Sequence, residues 1–150
     1  MNDILPDEIY PMPFFALLVA DSPAQLATWY VDALGFSRLF ETAGLYHLRR
    51  HKYQDVLVAG IGFERVPTTG GAYLYLDADG ELETLAAHLR DFPRSGSMEI
   101  AGPIQTPWNT CELRVIDPVG HRLVMTSRPA NPDPEIAVRT RAMLKTTLKP

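Results

Sequence analysis

Apolar and polar positions alternate most clearly from Thr110 to Ile116, where Cys111, Leu113 and Val115 fall on one side of an extended chain and Glu112, Arg114 and Ile116 on the other. Asp117-Pro118-Val119-Gly120 then reads as a turn: Pro118 presets φ and Gly120 supplies the freedom a reversal needs. From Arg122 to Ser127 the alternation returns, with Leu123 and Met125 on the apolar side against Arg122, Val124 and Thr126. This is a hairpin with one greasy face and one mixed face. It implies helices behind the sheet and something wetter in front.

The same reading carries along the rest of the chain. Phe14 to Ala20 is a continuous apolar run and predicts a buried central strand rather than a half-exposed edge. Asp21 and Ser22 offer N-cap oxygens, Pro23 suits a first helical turn, and the helix runs to Leu34 with Leu26, Trp29, Tyr30 and Ala33 on one face before Gly35 ends it. Phe36–Glu41, Leu45–Arg50 and Tyr53–Ala59 predict three strands. In the second of these Tyr46, Leu48 and Arg50 oppose Leu45, His47, Arg49 and His51. Gly60 to Gly71 is a joint, after which the order repeats. Ala72–Leu76 is a strand, Asp79 a capping carboxylate, and Glu81–Phe92 a helix with Leu82, Leu85, Ala86 and Leu89 as its stripe. Met98–Ile104 is a strand interrupted by Gly102 and Pro103. Sliding the chain by 58 residues lays Ala20-Asp21-Ser22 over Ala78-Asp79-Gly80, each between a strand and a helix. The expected class is α+β, two copies of βαβββ: an arm at 1–12, a first module at 13–60, a joint at 61–71, a second module at 72–128 and a tail at 129–150. In the tail, Pro129, Pro132 and Pro134 form a spacer, and a helix from Pro134 to about Leu148 carries Ile136, Met143, Leu144 and Leu148 on one side.

Composition narrows the function classes. A chain of 150 residues, 46% hydrophobic and 21% charged, can bury a sizeable core. Its net charge of −4, without a basic stripe in the body, argues against nucleic acid as partner. The segment from Arg128 holds five basic and two acidic residues, so the remainder stands at −7; the tail is expected to pack on its own acidic body or on a second subunit rather than on a membrane. The acidic, proline-broken N-terminus does not read as a secretory signal, and no apolar run approaches the roughly 20 residues of a membrane helix. Cys111 is the sole cysteine, expected as a small buried hydrophobe, which suits a reducing cytoplasm.

Paired βαβββ modules ending in Pro107-Trp108-Asn109, Glu112-Leu113, Val115 and Asp117-Pro118-x-Gly120-His121 resemble the glyoxalase, bleomycin-resistance and extradiol dioxygenase superfamily, the vicinal oxygen chelate proteins. The likeness spans about Pro13 to Arg128 and is most specific from Thr106 to Leu123, where it resembles the bleomycin-resistance branch. That branch usually has Gly where Asn109 stands, and Arg-Glu-Phe where this chain has Cys111-Glu112-Leu113. The resemblance implies that each module curls into a half-barrel, helices outside, with the mixed faces enclosing a ligand cleft, often at a homodimer interface. It also implies, for metal-dependent members, one ligand on the first and one on the fourth strand of each module. Those places hold Phe14 or Phe15, Val58 or Ala59, Ala72 or Tyr73, and Val124 between Leu123 and Met125; none of these coordinates a divalent ion, so no metal and no cofactor is expected. His47 and His51 share a strand face but lie roughly 13 Å apart along it, too far for one ion. His88 and His121 are expected to be solvated.

With the apolar faces on the helices, the cleft receives Glu112, Arg114, Arg122, Val124 and Thr126 from the hairpin, Tyr73, Tyr75 and Asp77 from the fifth strand, and His47 and Arg49 from the third. Phe14 joins from the first strand and Trp108 stands at the rim. Aromatic walls with a few charges suit a small, partly planar, amphipathic molecule. Two readings stay open for Glu112: an ion pair with Arg114 or Arg122, or a ligand contact. Tyr73 and Tyr75 are core or cleft. Three function classes follow: a metal-free binding protein that sequesters such a molecule, a glyoxalase- or dioxygenase-type lyase, isomerase or oxygenase, either metal-dependent through another site or metal-free, with His47 or Glu112 as acid or base, and a partner-binding module that uses the tail.

Overall fold

Pro23 and Gly35 bracket the first helix as the sequence implies. Gly35 takes φ +72°, and its N–H reaches back to the helix carbonyls, the left-handed cap that glycine favours. Ser22 sits at the N-cap without a side-chain cap bond; its backbone carbonyl instead accepts from Leu26 N–H at 3.2 Å. Asp79 lies outside the residues that this computed structural model describes, which are 15–60, 72–78 and 80–147.

The chain runs β1 (Ala16–Val19), α1 (Pro23–Leu34), β2 (Ser37–Thr42), β3 (Leu45–Arg49), β4 (Asp55–Ala59), β5 (Leu74–Asp77), α2 (Leu82–Asp91), β6 (Glu99–Gln105), β7 (Cys111–Ile116), β8 (Arg122–Ser127) and α3 (Pro134–Thr147). The strands form two four-stranded mixed sheets, ordered β1-β4-β3-β2 and β5-β8-β7-β6. In each, the first strand lies parallel to the fourth and the other pairs are antiparallel. Neither sheet closes into a barrel. The fold is α+β, with the duplicated βαβββ order that the pattern predicts. Gly102 and Pro103 interrupt β6 as a register shift between Ala101 and Ile104, the place where a sheet tolerates proline.

One expectation is overturned. The Phe14–Ala20 run predicts a central strand, yet β1 is an edge strand, with Phe15 49% and Leu17 36% exposed. An apolar run reports two faces that shun water, not two neighbouring strands. Here one face is covered from inside the chain and the other is open.

Leu26, Trp29, Tyr30 and Ala33 of α1 and Leu82, Leu85, Ala86 and Leu89 of α2 bury the helical stripes in one core shared by both sheets. It also takes Leu18, Leu48 and Val58 from the first sheet and Leu76, Leu113 and Leu123 from the second. Each fully buried aliphatic or aromatic side chain contributes about 1.5–3 kcal/mol relative to exposure. Cys111 is half-buried against this core, free of any disulfide.

Two turns tie the halves together. The buried Asp117 carboxylate accepts from the backbone N–H of Val119, Gly120 and His121 through Oδ1, and from the Tyr30 hydroxyl of α1 through Oδ2 at 2.9 Å. His121 is not simply solvated as expected: its Nδ1 lies 2.7 Å from Asp117 Oδ2. Burial pushes the Asp117 carboxyl up, but the hydrogen bonds and charge of His121, helped by Tyr30, outweigh it and leave it below the usual value. Burial, with Asp117 beside it, holds the Tyr30 hydroxyl well above its ordinary range. Arg50 does the matching work in the first module, donating to Leu34 O at the C-terminus of α1 and to Asp77 O of β5. His88, also expected in solvent, has Nε2 2.9 Å from Asp32 O and links α2 to α1.

Of α3, only part of the side chains is described. Ile136 is half-buried and Val138 is 65% exposed, while Met143, Leu144 and Leu148 of the expected stripe lie outside the described side chains.

Candidate functional site

Strand register decides which side chains share the open faces. In the first sheet, Arg49 pairs with Asp55 and His47 with Leu57 and Phe40, so these stand together on the side away from the core, with Leu17 of β1 on the same side. In the second, Arg122 pairs with Ile116, Arg114 with Val124 and Ala101, Tyr75 with Val124, and Glu112 with Thr126 and Ile104. The predicted cleft residues that are described therefore fall on two open faces, one per sheet. Phe14 lies outside the described residues.

On the first face, Arg49 and Asp55 are each 5% exposed and form a bidentate pair: Nε to Oδ1 at 2.8 Å and Nη2 to Oδ2 at 2.9 Å. His47 Nε2 lies 2.7 Å from the same Asp55 Oδ2, its ring part-buried. Burial raises the Asp55 carboxyl, but the Arg49 and His47 hydrogen bonds and charges override it, and it stays below its usual value. Arg49 is thus committed to a carboxylate of its own sheet. The rest of this face is mostly apolar, with Phe40 57% exposed, and Ser37 and Thr42 of β2 are its uncharged polar members.

On the second face, Tyr73 and Tyr75 are 53% and 60% exposed, and the Arg122 guanidinium lies 5.8 Å over the Tyr73 ring. These two tyrosines belong to the open face rather than the core. Val124 is buried between its register neighbours Tyr75 and Arg114. Tyr73, Arg114 and Arg122 line a hollow of about 210 Å³ at the hairpin end of the sheet. At the other end Trp108, 57% exposed, donates its indole N–H to Glu112 Oε1 at 3.0 Å, and the Thr110 hydroxyl donates to the same atom at 3.0 Å. Glu112 is 3% exposed, and its Oε2 is buried without a partner. The ion pair with Arg114 or Arg122 is not formed among the described residues.

Asn109 explains one departure of the motif. It takes φ +63°, a left-handed conformation that Asn tolerates better than most residues. Its amide then does what glycine could not, donating to Asp133 O and accepting from Asp133 N–H, both at 2.7 Å, which pins the spacer before α3.

The metal that the resemblance implies for some members does not fit these residues. The open-face positions on β1 and β5 and their parallel partners β4 and β8 carry Leu17, Val19, Leu57, Ala59, Tyr75, Val124 and Thr126; of the two carboxylates there, Asp55 is already paired with Arg49 and Asp77 stands on the other sheet. Among the described residues no three His, Cys, Asp or Glu side chains come together to hold an ion. A larger groove, about 640 Å³, opens on the helix side past Trp29, Phe92 and Pro118, away from the predicted cleft residues.

Sequence reasoning missed Asp55 and Thr110. Asp55 opens a strand whose other residues are apolar, and only the tertiary pairing to Arg49 and His47 distinguishes it. The register Arg49↔Asp55, once the hairpin is assumed, is the signal that would have found it.

No family model and no curated protein matches the sequence. Solved structures do. A bleomycin-binding protein in complex with bleomycin superposes with a TM-score of 0.59 at 21% identity, covering 77% of this chain and 98% of that one. An integron cassette protein from the mobile metagenome of a Halifax Harbour sewage outfall gives 0.60 at 19%, covering 76% and 96%. A lactoylglutathione lyase from Agrobacterium tumefaciens gives 0.57 at 14%, covering 77% and 93%. The fold is the one these proteins share.

Proposed function

We propose that this chain, which has the fold of the glyoxalase and bleomycin-resistance superfamily, sequesters a small, partly planar, amphipathic molecule without a metal. It does so as a homodimer in a reducing cytoplasm. The observation that carries the reading is Trp108: a ring more than half exposed, yet held in place by its own N–H on Glu112, beside a face that also presents Tyr73 and Tyr75. An exposed aromatic fixed before binding offers stacking area at low ordering cost. The bleomycin complex of a similar fold supports the same use of the open faces. Phe15, Leu17 and Phe40 on the other sheet are the apolar cover that a second copy would supply.

The test is a thermal-shift screen with bleomycin and a panel of planar antibiotics and small aromatic acids, with EDTA or with added divalent ions. A ligand at 100 times its dissociation constant stabilises the native state by about 2.7 kcal/mol, which reads as several degrees. A rise unaffected by EDTA, with quenching of Trp108 fluorescence, is the expected result. No shift across the panel, or shifts that require a divalent ion, would sink the reading.

His47 favours a second reading, a metal-free proton-transfer enzyme. A ring nitrogen on Asp55 orients the imidazole, and the other nitrogen, Nδ1, makes no protein hydrogen bond among the described residues. Incubating any ligand from the screen in D₂O and weighing it by mass spectrometry decides this: deuterium uptake lost in His47→Asn supports catalysis, and an unchanged mass leaves binding alone.

A further inference from the structure

The hollow lined by Tyr73, Arg114 and Arg122 brings two guanidinium groups and one carboxylate, Glu99, to the same face. In register, Arg114 stands opposite Val124 and Arg122 opposite Ile116, so the two arginines are diagonal neighbours on one face. Such neighbours lie roughly 7–8 Å apart, close enough for two long side chains to reach one ligand group between them. The matching positions of the first module hold His47 and Asp55, which attract. Neither Arg114 nor Arg122 makes an ion pair or hydrogen bond to another described residue. Glu99 is the carboxylate among the lining residues, and it bridges to neither. Tyr73 lies under the Arg122 guanidinium, which holds that fork over an aromatic ring.

We propose that this hollow is an oxyanion subsite that takes the carboxylate or phosphate of a small aromatic acid, Arg114 and Arg122 both donating to it while the ring lies toward Tyr73 and Tyr75. It rests on the reading of the open face as a ligand face and names the chemical class that face selects. An anion between the two forks accepts from guanidinium donors that have no hydrogen-bond partner among the described residues.

Three probes share one ring and differ in charge: 2-naphthoate, 2-naphthyl phosphate and the neutral 2-naphthamide. Calorimetric titration at low salt is expected to give at least about tenfold tighter binding of an acid than of the amide, an advantage lost at high salt. The preferred acid identifies the oxyanion. Arg114→Gln and Arg122→Gln each weaken the acid about fivefold and the amide by less, while Glu99→Gln strengthens the acid. Thermal melts of the variants, whose changed groups are exposed, verify folding. Equal affinity for acid and amide, or acid binding indifferent to both arginines, overturns the subsite and leaves planar binding standing. No binding of any probe overturns it together with the reading beneath it.

Discussion

Arg49 and Ile116 occupy the same place in the two modules, one residue before a five-residue turn, and Asp55 and Arg122 the place just after it. Where the first module sets opposite charges face to face and buries them, the second sets an apolar side chain against a lone guanidinium. The correspondence continues along the strands: His47 and Leu57 match Arg114 and Val124, and Leu45 and Ala59 match Glu112 and Thr126. On the leading strands, Leu17 and Val19 match Tyr75 and Asp77, because Ala16 meets Val56 where Leu74 meets Leu123. One backbone plan therefore carries two surfaces. The first neutralises its own charges and is otherwise mostly apolar; the second leaves aromatic rings and charges facing outward. An amphipathic molecule held between one face of each kind would find a matching side on both.

The largest effect is expected where the comparison is sharpest. Arg49→Met leaves the Asp55 carboxylate buried and unpaired by its fork, costing about 3 kcal/mol in denaturant unfolding. Arg122→Met at the matching position is expected within about 0.5 kcal/mol of the parent. Equal costs would mean that the second face is as self-contained as the first.

Next, Phe40→Asp places a charge on the apolar face and is expected to weaken self-association by at least about 30-fold, roughly 2 kcal/mol, by sedimentation or light scattering. Tyr75→Ser on the second face tests whether both faces meet in the assembly. A parent chain that runs at its monomer mass of 16.7 kDa at every concentration removes the dimer outright. Trp108→Ala is then expected to cost about tenfold in affinity for a planar ligand, roughly 1.4 kcal/mol, while stability changes less. An unchanged affinity would move the ligand off the second face.

The smallest effect is with pH. Asp55 and Asp117 both have folded pKa values lowered below their unfolded value of about 3.9, so each contributes stability that is complete above that pH and lost as pH falls through the folded value. Denaturant midpoints should drop below about pH 4, and Asp55→Asn should flatten part of that slope at a lower starting stability. A slope indifferent to Asp55 would show that the first module's triad is not ionised as drawn.

Much of this molecule was legible in its pattern. Period-two stretches placed the strands, the stripe of Leu82, Leu85, Ala86 and Leu89 placed a helix, and Gly35 placed its end, because these signals depend on neighbours a few residues apart. The open-face membership of Glu112, Arg114 and Arg122 followed from the same alternation. What periodicity could not supply was partnership. It left Glu112 between an arginine and a ligand and did not supply the Trp108 and Thr110 that the fold gives it, left His121 in water where it meets Asp117, and made β1 central where it stands at an edge. Hydrophobic alternation is local and fixes which way a side chain points. Which charge it then meets depends on chain closure over tens of residues, as with Tyr30 and Asp117, and that only the packed tertiary structure decides.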